Sequence, residues 1–528
     1  MSVLYVLYSK MHTSLTFILI LALLYGINAY KYLVVSPLPG KSHGILGEAM
    51  VTHLANAGHE ITYVTVFPPK KPVPRVTIVD LSDNLKYFPS DSGMNLKVVM
   101  DNAHDGNSFL TIVPSLMNIS RNTLEHPNLQ KLIRDRNQKF DAVITEWMFN
   151  EVYAGFAGVF DCPLIWFSTV QPHWMVVRLV DEVPNPAYTV DILSDNIPPL
   201  TFLQRVAELL LQTMGRLIQT FWVYGLEEDI YNEFFVPVIR HRNNTVRSFE
   251  TLRYNVSLIL SNSHVSMGVP ARLPSNVISI GGYHISPKVK PLPEDLQKVM
   301  DNANHGVIYF SMGSNLRSNQ FPEEVKAELI KMFGKFKQTV IWKFEEDLPN
   351  RPNNVHIVQW APQQSILEHK NCILFITHGG LLSITESMHY GVPLIGIPVF
   401  ADQFVNVARA VKKGYALKVD LSYVMAADME TAIKTIIDNP KYAARVKELS
   451  QIYHDRPIPP AKELVHWVDH VVRTQGAPHL RSPAFMVPWY QKFYLDFILA
   501  LIVLFFILKH GSKSIKSMIL EKRKEKIN

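Results

Sequence analysis

The chain has 528 residues, of which 48% are hydrophobic and 19% charged, a composition that excludes a disordered protein and allows two buried cores. The formal charge is +6, but much of the excess lies in residues 509–528, so we expect no nucleic-acid partner. Only two cysteines occur, Cys162 and Cys372, which excludes a disulfide scaffold and predicts two buried thiols.

Residues 1–29 have the pattern of a cleaved signal peptide. Lys10 precedes an apolar stretch at residues 15–25, and small side chains follow that stretch. The apolar stretch is short for a membrane span, which makes a retained anchor the less favoured interpretation. Either Met1 or Met11 can be the first residue of the precursor.

Short apolar segments rich in β-branched residues alternate with helical patterns, which predicts parallel βαβ units. The predicted strands of the first half are residues 32–36, 61–67, 142–145, 164–167 and 257–260. Those of the second half are residues 307–311, 339–343, 355–358, 373–377 and 394–398. Three prolines interrupt residues 286–293, which suits an exposed linker. We therefore predict an α/β protein with two doubly wound domains, residues 30–285 and 286–475, that face each other across a cleft.

Polar side chains follow several of these strands. His43 comes shortly after the first strand, and Glu146 ends the strand at residues 142–145. Ser314, His378 and Asp402 follow strands of the second half in the same way. Ligands of open parallel sheets bind beyond the carboxyl ends of the strands, so these five residues predict one site between the domains.

Residues 200–224 are rich in Leu, Phe and Trp, with Arg205, Glu208 and Arg216 interspersed, which predicts an amphipathic helix. Three positions stay open for this helix. It can line an acceptor pocket, lie on a membrane surface, or pack on its own domain as an ordinary helix.

A transmembrane helix is predicted at residues 489–508, joined to the second domain by residues 476–488. The run 497–508 has no charged residue, and Trp489 is one of several aromatic residues that precede it. Seven Lys and Arg residues follow in the tail at 509–528, which favours a cytosolic tail and a luminal body.

The last five residues, Lys524-Glu525-Lys526-Ile527-Asn528, resemble the lysine-based retrieval signals of endoplasmic-reticulum membrane proteins. Three glycosylation sequons begin at Asn118, Asn243 and Asn255, on the side expected to be luminal. The sequence thus predicts a single-pass type I protein of the endoplasmic-reticulum membrane.

The most specific segment spans residues 375–403. It contains Phe375-Ile376-Thr377-His378-Gly379-Gly380, then Ser383, Glu386, Pro393-Leu394-Ile395, Pro398 and Asp402-Gln403. Together with Trp360-Ala361-Pro362-Gln363 upstream, this segment resembles the signature of the UDP-glycosyltransferases. The layout of the whole chain resembles the membrane-bound animal branch of that family, and residues 381–383 and 479–483 are most similar to its insect members. The resemblance implies a GT-B type fold.

A strand that ends in His-Gly-Gly and leads into a helix presents backbone N–H groups and a positive dipole end to an anion. His378 can donate to a phosphate oxygen, and Gly379 and Gly380 let the chain approach the diphosphate closely. Ser314 resembles the serine with which the family contacts phosphate or base, although a simple turn explains it nearly as well.

The resemblance assigns the rest of the donor to five further residues. The ring of Trp360 would stack on uracil and the amide of Gln363 would bind the edge of the base. The Glu386 carboxylate would accept both ribose hydroxyls, and Asp402 and Gln403 would hold the hydroxyls of the sugar.

His43, in Lys41-Ser42-His43-Gly44, stands where the family has its catalytic histidine, and imidazole titrates close enough to neutrality to act as a base. An acidic partner should orient it. The family often has aspartate at the matching strand end, whereas this chain has Glu146, and Glu151 and Asp141 compete for the role. No cofactor and no metal ion are expected, since the UDP-sugar is a co-substrate.

The sequence therefore predicts an inverting UDP-glycosyltransferase that transfers a hexose, with glucose favoured, to a hydroxyl of a small lipophilic acceptor. One alternative is a UDP-sugar-binding membrane protein that has lost transfer, and others are a relative that uses UDP-glucuronate and an epimerase of the same fold. The acceptor and the oligomeric state, a homo-oligomer included, stay open.

Overall fold

The computed structural model describes residues 29–87, 96–101, 109–268 and 270–526. The predicted signal peptide lies outside the described residues, apart from its last residue. The chain forms two units, Met1–Leu480 and Arg481–Asn528. All the described strands belong to the first unit.

Seven parallel strands form the first sheet. They are β1 Lys31–Ser36, β2 Glu60–Thr65, β3 Val76–Asp80, β4 Ala142–Trp147, β5 Leu164–Ser168, β6 Val256–Ser261 and β7 Val277–Ser279. Their spatial order is β3-β2-β1-β4-β5-β6-β7. The strand order reverses between β1 and β4, and such a reversal opens a crevice beyond the carboxyl ends of the two strands.

The second sheet repeats this arrangement with six parallel strands. They are β8 Val307–Ser311, β9 Thr339–Lys343, β10 Val355–Val358, β11 Cys372–Thr377, β12 Leu394–Gly396 and β13 Ala416–Lys418. The spatial order is β10-β9-β8-β11-β12-β13. Here the reversal, and therefore the crevice, lies between β8 and β11.

Helices cover the two sheets. In the first half these are α1 Lys41–Asn56, α2 Leu96–Asp101, α3 Phe109–Glu125, α4 Pro127–Arg134, α5 Gly155–Phe160, α6 Trp174–Val177, α7 Phe202–Ile218, α8 Tyr224–Ile230, α9 Val236–His241 and α10 Phe249–Tyr254. In the second half they are α11 Glu294–Asp301, α12 Glu323–Phe333, α13 Gln363–Glu368, α14 Leu381–Tyr390, α15 Gln403–Lys412, α16 Met425–Ile437, α17 Lys441–His454 and α18 Pro460–Arg473.

Both faces of each sheet are buried. In β1, Leu33 and Val35 belong to the apolar cluster on one face, and Tyr32 and Val34 belong to the cluster on the other. Successive side chains of a strand point to opposite faces, so a strand that is covered on both sides must be apolar throughout. That requirement explains why the strands appear as continuous apolar runs in the sequence.

Each of the ten predicted strands overlaps a strand of the structure, and the fold class is confirmed. Three strands at or near sheet edges, β3, β7 and β13, were missed. Two of them have only three residues each, and β3 has a single buried side chain among half-buried and exposed ones, so neither length nor continuous apolarity distinguishes these strands from loops. The predicted linker at residues 286–293 is irregular.

The helix α18 packs on the first sheet although it follows the second sheet in sequence. Leu464, Val468 and Val471 are fully buried in the cluster that also contains Tyr32. The Tyr32 hydroxyl donates a hydrogen bond of 2.8 Å to Asp469 Oδ1. The last helix of the first unit therefore ties the end of that unit to its first strand.

The second unit contains α19 Trp489–Lys492 and α20 Leu495–Glu525. Residues Leu495–Arg523 of α20 are long and apolar enough to cross a membrane. The predicted span starts at Trp489, but the long helix starts only at Leu495, because Tyr494 has a left-handed φ of 55° that separates the two helices. The helix also continues through the basic tail that was predicted to follow it.

Because the buried side chains of α18 belong to a closed apolar cluster, we expect a large loss of stability when one of them is truncated. We expect Leu464→Ala to lower the free energy of unfolding by about 2–5 kcal/mol, because it leaves a cavity in a closed apolar cluster. Urea denaturation followed by circular dichroism measures the change. The control Ile458→Ala removes a partly exposed side chain just before the helix and should cost less than about 1 kcal/mol. Equal costs for the two variants would contradict this packing role.

Candidate active site

A cavity of about 920 Å³ lies where the carboxyl edges of the two sheets face each other. His43 and Val170 line it from the first half of the chain, and Ser314, His378 and Asp402 line it from the second. The two strand-order reversals thus open into one space. The sequence predicted this convergence, and the structure brings the residues together.

His43 belongs to the first turn of α1, which begins shortly after β1. Its Nδ1 atom is hydrogen-bonded to Oε1 of Glu146, which lies inside β4 next to its last residue. Glu146 Oε2 accepts a second hydrogen bond of 2.8 Å from the hydroxyl of Ser36. The side chain of His43 is 17% exposed and that of Glu146 only 1%, so a buried carboxylate orients an imidazole that the cavity can reach.

The two competing carboxylates are engaged elsewhere. Glu151 is buried in an ion-pair cluster with Arg178 and Arg253. Asp141 accepts a hydrogen bond of 2.7 Å from the backbone N–H of Lys31. Of the three candidates, Glu146 is the carboxylate that contacts His43.

The surroundings of His43 favour its protonated form. Burial acts to lower the pKa of His43, but the charge and hydrogen bond of Glu146, together with the charge of Asp402, outweigh burial and raise that pKa above its usual value. Burial also raises the pKa of Asp402, against the charge of His43. The imidazole is thus stabilised as a proton acceptor, which is the property required of a general base.

His378 follows β11 directly and lies beside the start of α14. A Cβ atom at Gly313 would approach the His378 ring to 2.3 Å, and one at Gly380 would approach it to 2.6 Å. Glycine at both positions therefore leaves room for the ring. Gly379 has a φ of 82°, and Val407 occupies the position of any side chain there. The free N–H groups at the start of α14 therefore meet the cavity beside a histidine.

Burial, assisted by the charge of Lys343, lowers the pKa of His378 to about 4. His378 is therefore neutral near pH 7, and its ring can donate one hydrogen bond. Lys343 is the last residue of β9 and lines the same cavity. Sequence reasoning missed this lysine, although its position at a strand end was the available signal.

Trp360 is 55% exposed and lines the cavity. The ammonium group of Lys41, from the opposite half of the chain, lies 3.6 Å from the centre of its indole ring. Burial lowers the pKa of Lys41, and the nearby charges of Lys343 and Lys70 lower it further. Cations from both halves of the chain thus lie where an anionic ligand would bind. The sequence does not indicate that Lys41 belongs to this site, because its contact with Trp360 joins segments that are far apart in the chain.

Glu386 and Gln363 contact each other. Gln363 Nε2 donates to Glu386 Oε2, and Gln364 Nε2 donates to Glu386 Oε1 at 3.1 Å. The Tyr309 hydroxyl donates to Gln363 Oε1 at 3.3 Å. Glu386 also lies 3.5 Å from Nε2 of the buried His284. This polar network lines the cavity next to Trp360 and can exchange these bonds for bonds to hydroxyl or amide groups of a ligand.

Asp402 and Gln403 lie at the start of α15. Asp402 Oδ2 accepts a hydrogen bond of 2.8 Å from Asn406, and Gln403 Oε1 accepts bonds from the backbone N–H groups of Val399 and Phe400. Both side chains are therefore held in place before any ligand binds. Further along α15, Arg409 donates a hydrogen bond of 2.6 Å to Gln171, which links the second half of the chain to the first.

Two kinds of comparison identify the family of the chain. The sequence model of the family described as "UDP-glucoronosyl and UDP-glucosyl transferase" matches residues 41–525. UDP-glucosyltransferase 2 of Dactylopius coccus is 33% identical over 92% of this chain and 93% of its own length. UDP-glucuronosyltransferase 2B15 of Rattus norvegicus is 32% identical over 70% of this chain and 68% of its own length.

Solved structures share the fold at low identity. A UDP-glucosyltransferase from Polygonum tinctorium superposes with a TM-score of 0.54 at 17% identity, covering 85% of this chain and 99% of its own. The calicheamicin glycosyltransferase CalG4 gives a TM-score of 0.53 at 16% identity, covering 84% and 100%. Two Rossmann-like sheets around one cavity thus constitute a GT-B type glycosyltransferase fold, and the chain belongs to the UDP-glycosyltransferase family.

Proposed function

We propose that this glycosyltransferase transfers a hexose, with glucose as the favoured sugar, from a UDP-sugar to a hydroxyl of a small lipophilic acceptor, with inversion at the anomeric carbon. One observation carries the proposal. An imidazole that a buried carboxylate orients lines the same cavity as a His-Gly-Gly helix start. The first can take a proton from an acceptor hydroxyl, and the second can hold a diphosphate.

In this mechanism the acceptor oxygen attacks the anomeric carbon while its proton passes to Nε2 of His43, because Glu146 occupies Nδ1. The bond between the anomeric carbon and the β-phosphate oxygen breaks, and UDP leaves with the electron pair. The N–H groups at the start of α14, the neutral His378 ring and the Lys343 ammonium stabilise the charge that develops on UDP. Glu146 stabilises the imidazolium that forms at the same moment.

The choice of glucose is supported by the similarity to a glucosyltransferase over nearly the whole chain. A relative named as a glucuronosyltransferase keeps UDP-glucuronate as the second candidate donor. Apolar side chains of Ile45, Met148 and Val170 line the cavity near His43, which suits a lipophilic acceptor. The solved relative from Polygonum tinctorium is described as capable of glucosylating indoxyl, so aromatic hydroxyl compounds are suitable first acceptors to test.

The proposed location is the endoplasmic-reticulum membrane, with the first unit in the lumen and a short cytosolic tail. The candidate span in α20 and the basic residues at its end support this topology. Two of the three sequon asparagines, Asn118 and Asn243, are exposed and therefore accessible to glycosylation.

Product analysis tests the activity directly. We expect the purified full-length chain, incubated with radiolabelled UDP-glucose and a panel of phenols, to form a glycoside of inverted configuration, detected by chromatography and glycosidase digestion. The same assay with UDP-glucuronate decides between the donors. Release of UDP without a glycoside, or no turnover with either donor, would favour the alternative of a UDP-sugar-binding protein that has lost transfer.

Replacing the proposed base tests its role. We expect His43→Ala to reduce turnover by about 10²–10⁴-fold, because the variant lacks the proposed proton acceptor, and to leave UDP binding nearly unchanged. Turnover assays and calorimetric titration with UDP measure the two properties. The exposed His241, on α9, provides the control His241→Ala, which should behave as the parent chain does. Full turnover by His43→Ala would remove this residue from the mechanism.

The Glu146 carboxylate predicts a specific change in pH dependence. The neutral form of His43 accepts the proton, so kcat/KM rises with pH through the raised pKa of His43. In Glu146→Gln the negative charge is lost, the pKa of His43 falls, and the rise moves to lower pH while the plateau rate decreases. The pH profile of kcat/KM measures both effects, with Glu125→Gln at the exposed end of α3, outside the cavity lining, as control. A profile that does not move would show that the orienting carboxylate lies elsewhere.

A further inference from the structure

The helix α7 has the opposite polarity from an ordinary surface helix. Its outward side carries large apolar side chains, among them Leu203 at 75% exposed and, just after the helix, Phe221 at 81%. The other exposed members of this outward side are Phe202, Val206, Leu209, Leu210, Leu211, Met214 and Leu217. We call this set the apolar side of α7. Apolar surface of this extent marks an interaction site in a folded protein.

The inward side of α7 is polar and held by hydrogen bonds. The buried carboxylate of Glu208 accepts from the backbone N–H of Asp191 and from Asn196 Nδ2, both at 2.9 Å. The buried Gln212 donates from Nε2 to the carbonyl of Thr189 at 2.6 Å. Turning the helix to hide its apolar side would break these bonds and leave a carboxylate without partners. These hydrogen bonds therefore keep the apolar side of α7 exposed.

The start of α7 is fixed as well. Thr201 and Gln204 form a capping box, in which each side chain bonds to the backbone of the other residue. Gln204 Nε2 also donates to Asn196 Oδ1 at 2.9 Å. The first turn, which carries the exposed Phe202 and Leu203, is thus locked in its orientation. A mobile loop would not present these two side chains at a constant angle.

The charges of this surface have one sign. Residues 200–226 contain a single carboxylate, Glu208, and it is buried. Arg205 is exposed, and the partly buried Arg216 lies over the ring of Trp174. Within residues 200–226 the outward surface consequently combines apolar side chains with cations, and the nearest exposed carboxylates in sequence are Asp195 and Asp229. That combination complements an apolar layer bordered by anionic head groups.

The ordinary alternatives fit less well. Among the described residues that line the active-site cavity none belongs to α7, so this helix is not a wall of that cavity. Simple packing on the domain is contradicted by the exposure of its apolar side. A second copy of the chain would cover the apolar side but would leave the two arginines beside it without an anionic partner.

We propose that α7 lies along the surface of a phospholipid bilayer that contains anionic lipids, with its apolar side in the boundary between head groups and acyl chains. The proposal rests on the membrane attachment proposed above, since a chain held to a bilayer by α20 presents its other apolar surfaces to that bilayer at a high effective concentration. A helix of 17 residues is about 25 Å long and would insert to a depth of about 5–10 Å.

A fluorescent reporter on the apolar side tests this contact. The full-length Leu210→Cys variant is labelled with an environment-sensitive dye and reconstituted in vesicles of about three parts neutral to one part anionic phospholipid. The native thiols should not react, because burial raises the pKa of both Cys162 and Cys372 to about 12. We expect acyl-chain nitroxide lipids to quench the dye by roughly twofold or more. The quenching should weaken when all lipids are neutral.

The control is Val424→Cys, whose site is 69% exposed compared with 64% at Leu210 and lies in the second half of the chain. Its dye should not be quenched. A second reporter, Met214→Cys, should repeat the result at Leu210 if one of these variants fails to fold, and UDP binding reports folding in each case. Equal fluorescence at Leu210 and Val424 would overturn the proposal. Crosslinks between two copies of the Leu210→Cys chain without lipid quenching would overturn it as well and assign the surface to self-association.

Alkaline extraction separates this proposal from the one on which it rests. If the chain is extracted from membranes without detergent, the attachment by α20 fails. If the chain stays in the membrane and the dye at position 210 is not quenched, the attachment stands and only the contact through α7 is excluded. Glycoside formation is measured independently of both results.

Discussion

The geometry of the site depends on one constraint of parallel sheets. A strand order that reverses in the middle of a sheet leaves a crevice at the carboxyl edge, and this chain contains two such sheets whose crevices meet. His43 and Glu146 belong to the reversal between β1 and β4, and His378 follows β11 at the second reversal. An imidazole suited to accept a proton and a helix start suited to bind an anion are therefore brought together from distant parts of the chain, each supported by a buried sheet.

Electrostatics then distinguish the two walls of the cavity. On the first wall a buried carboxylate raises the pKa of an imidazole, and on the second wall burial and a lysine lower the pKa of another imidazole to about 4. The same residue type is thus suited to accept a proton on one wall and to donate a hydrogen bond in its neutral form on the other. Lys41 links the walls, since it begins α1 of the first half and contacts Trp360 of the second.

The polar network beneath α7 gives this surface helix a different kind of support. Apolar packing normally fixes the orientation of a helix, but here Glu208 and Gln212 do so through hydrogen bonds while the leucines face outward. Buried polar groups that are held by hydrogen bonds have few alternative arrangements, so they specify the helix orientation well. This arrangement suits a helix whose apolar side contacts lipid rather than the core of its own protein.

The sequence alone determined the fold class and ten of the thirteen described strands, because strands covered on both faces need continuous apolar runs of ordinary length. It also placed the candidate site residues at the carboxyl ends of strands, since that edge is defined by chain direction. The short or half-exposed edge strands β3, β7 and β13 carry no such signal.

Tertiary structure alone decided which carboxylate contacts His43, because Asp141, Glu146 and Glu151 are near neighbours in sequence and differ only in what surrounds them. It alone placed Lys41 against Trp360 and α18 against the first sheet, since such contacts between distant segments leave no periodic pattern. The amphipathic pattern of residues 200–224 predicted a helix, but only the three-dimensional packing decided that its polar side faces inward.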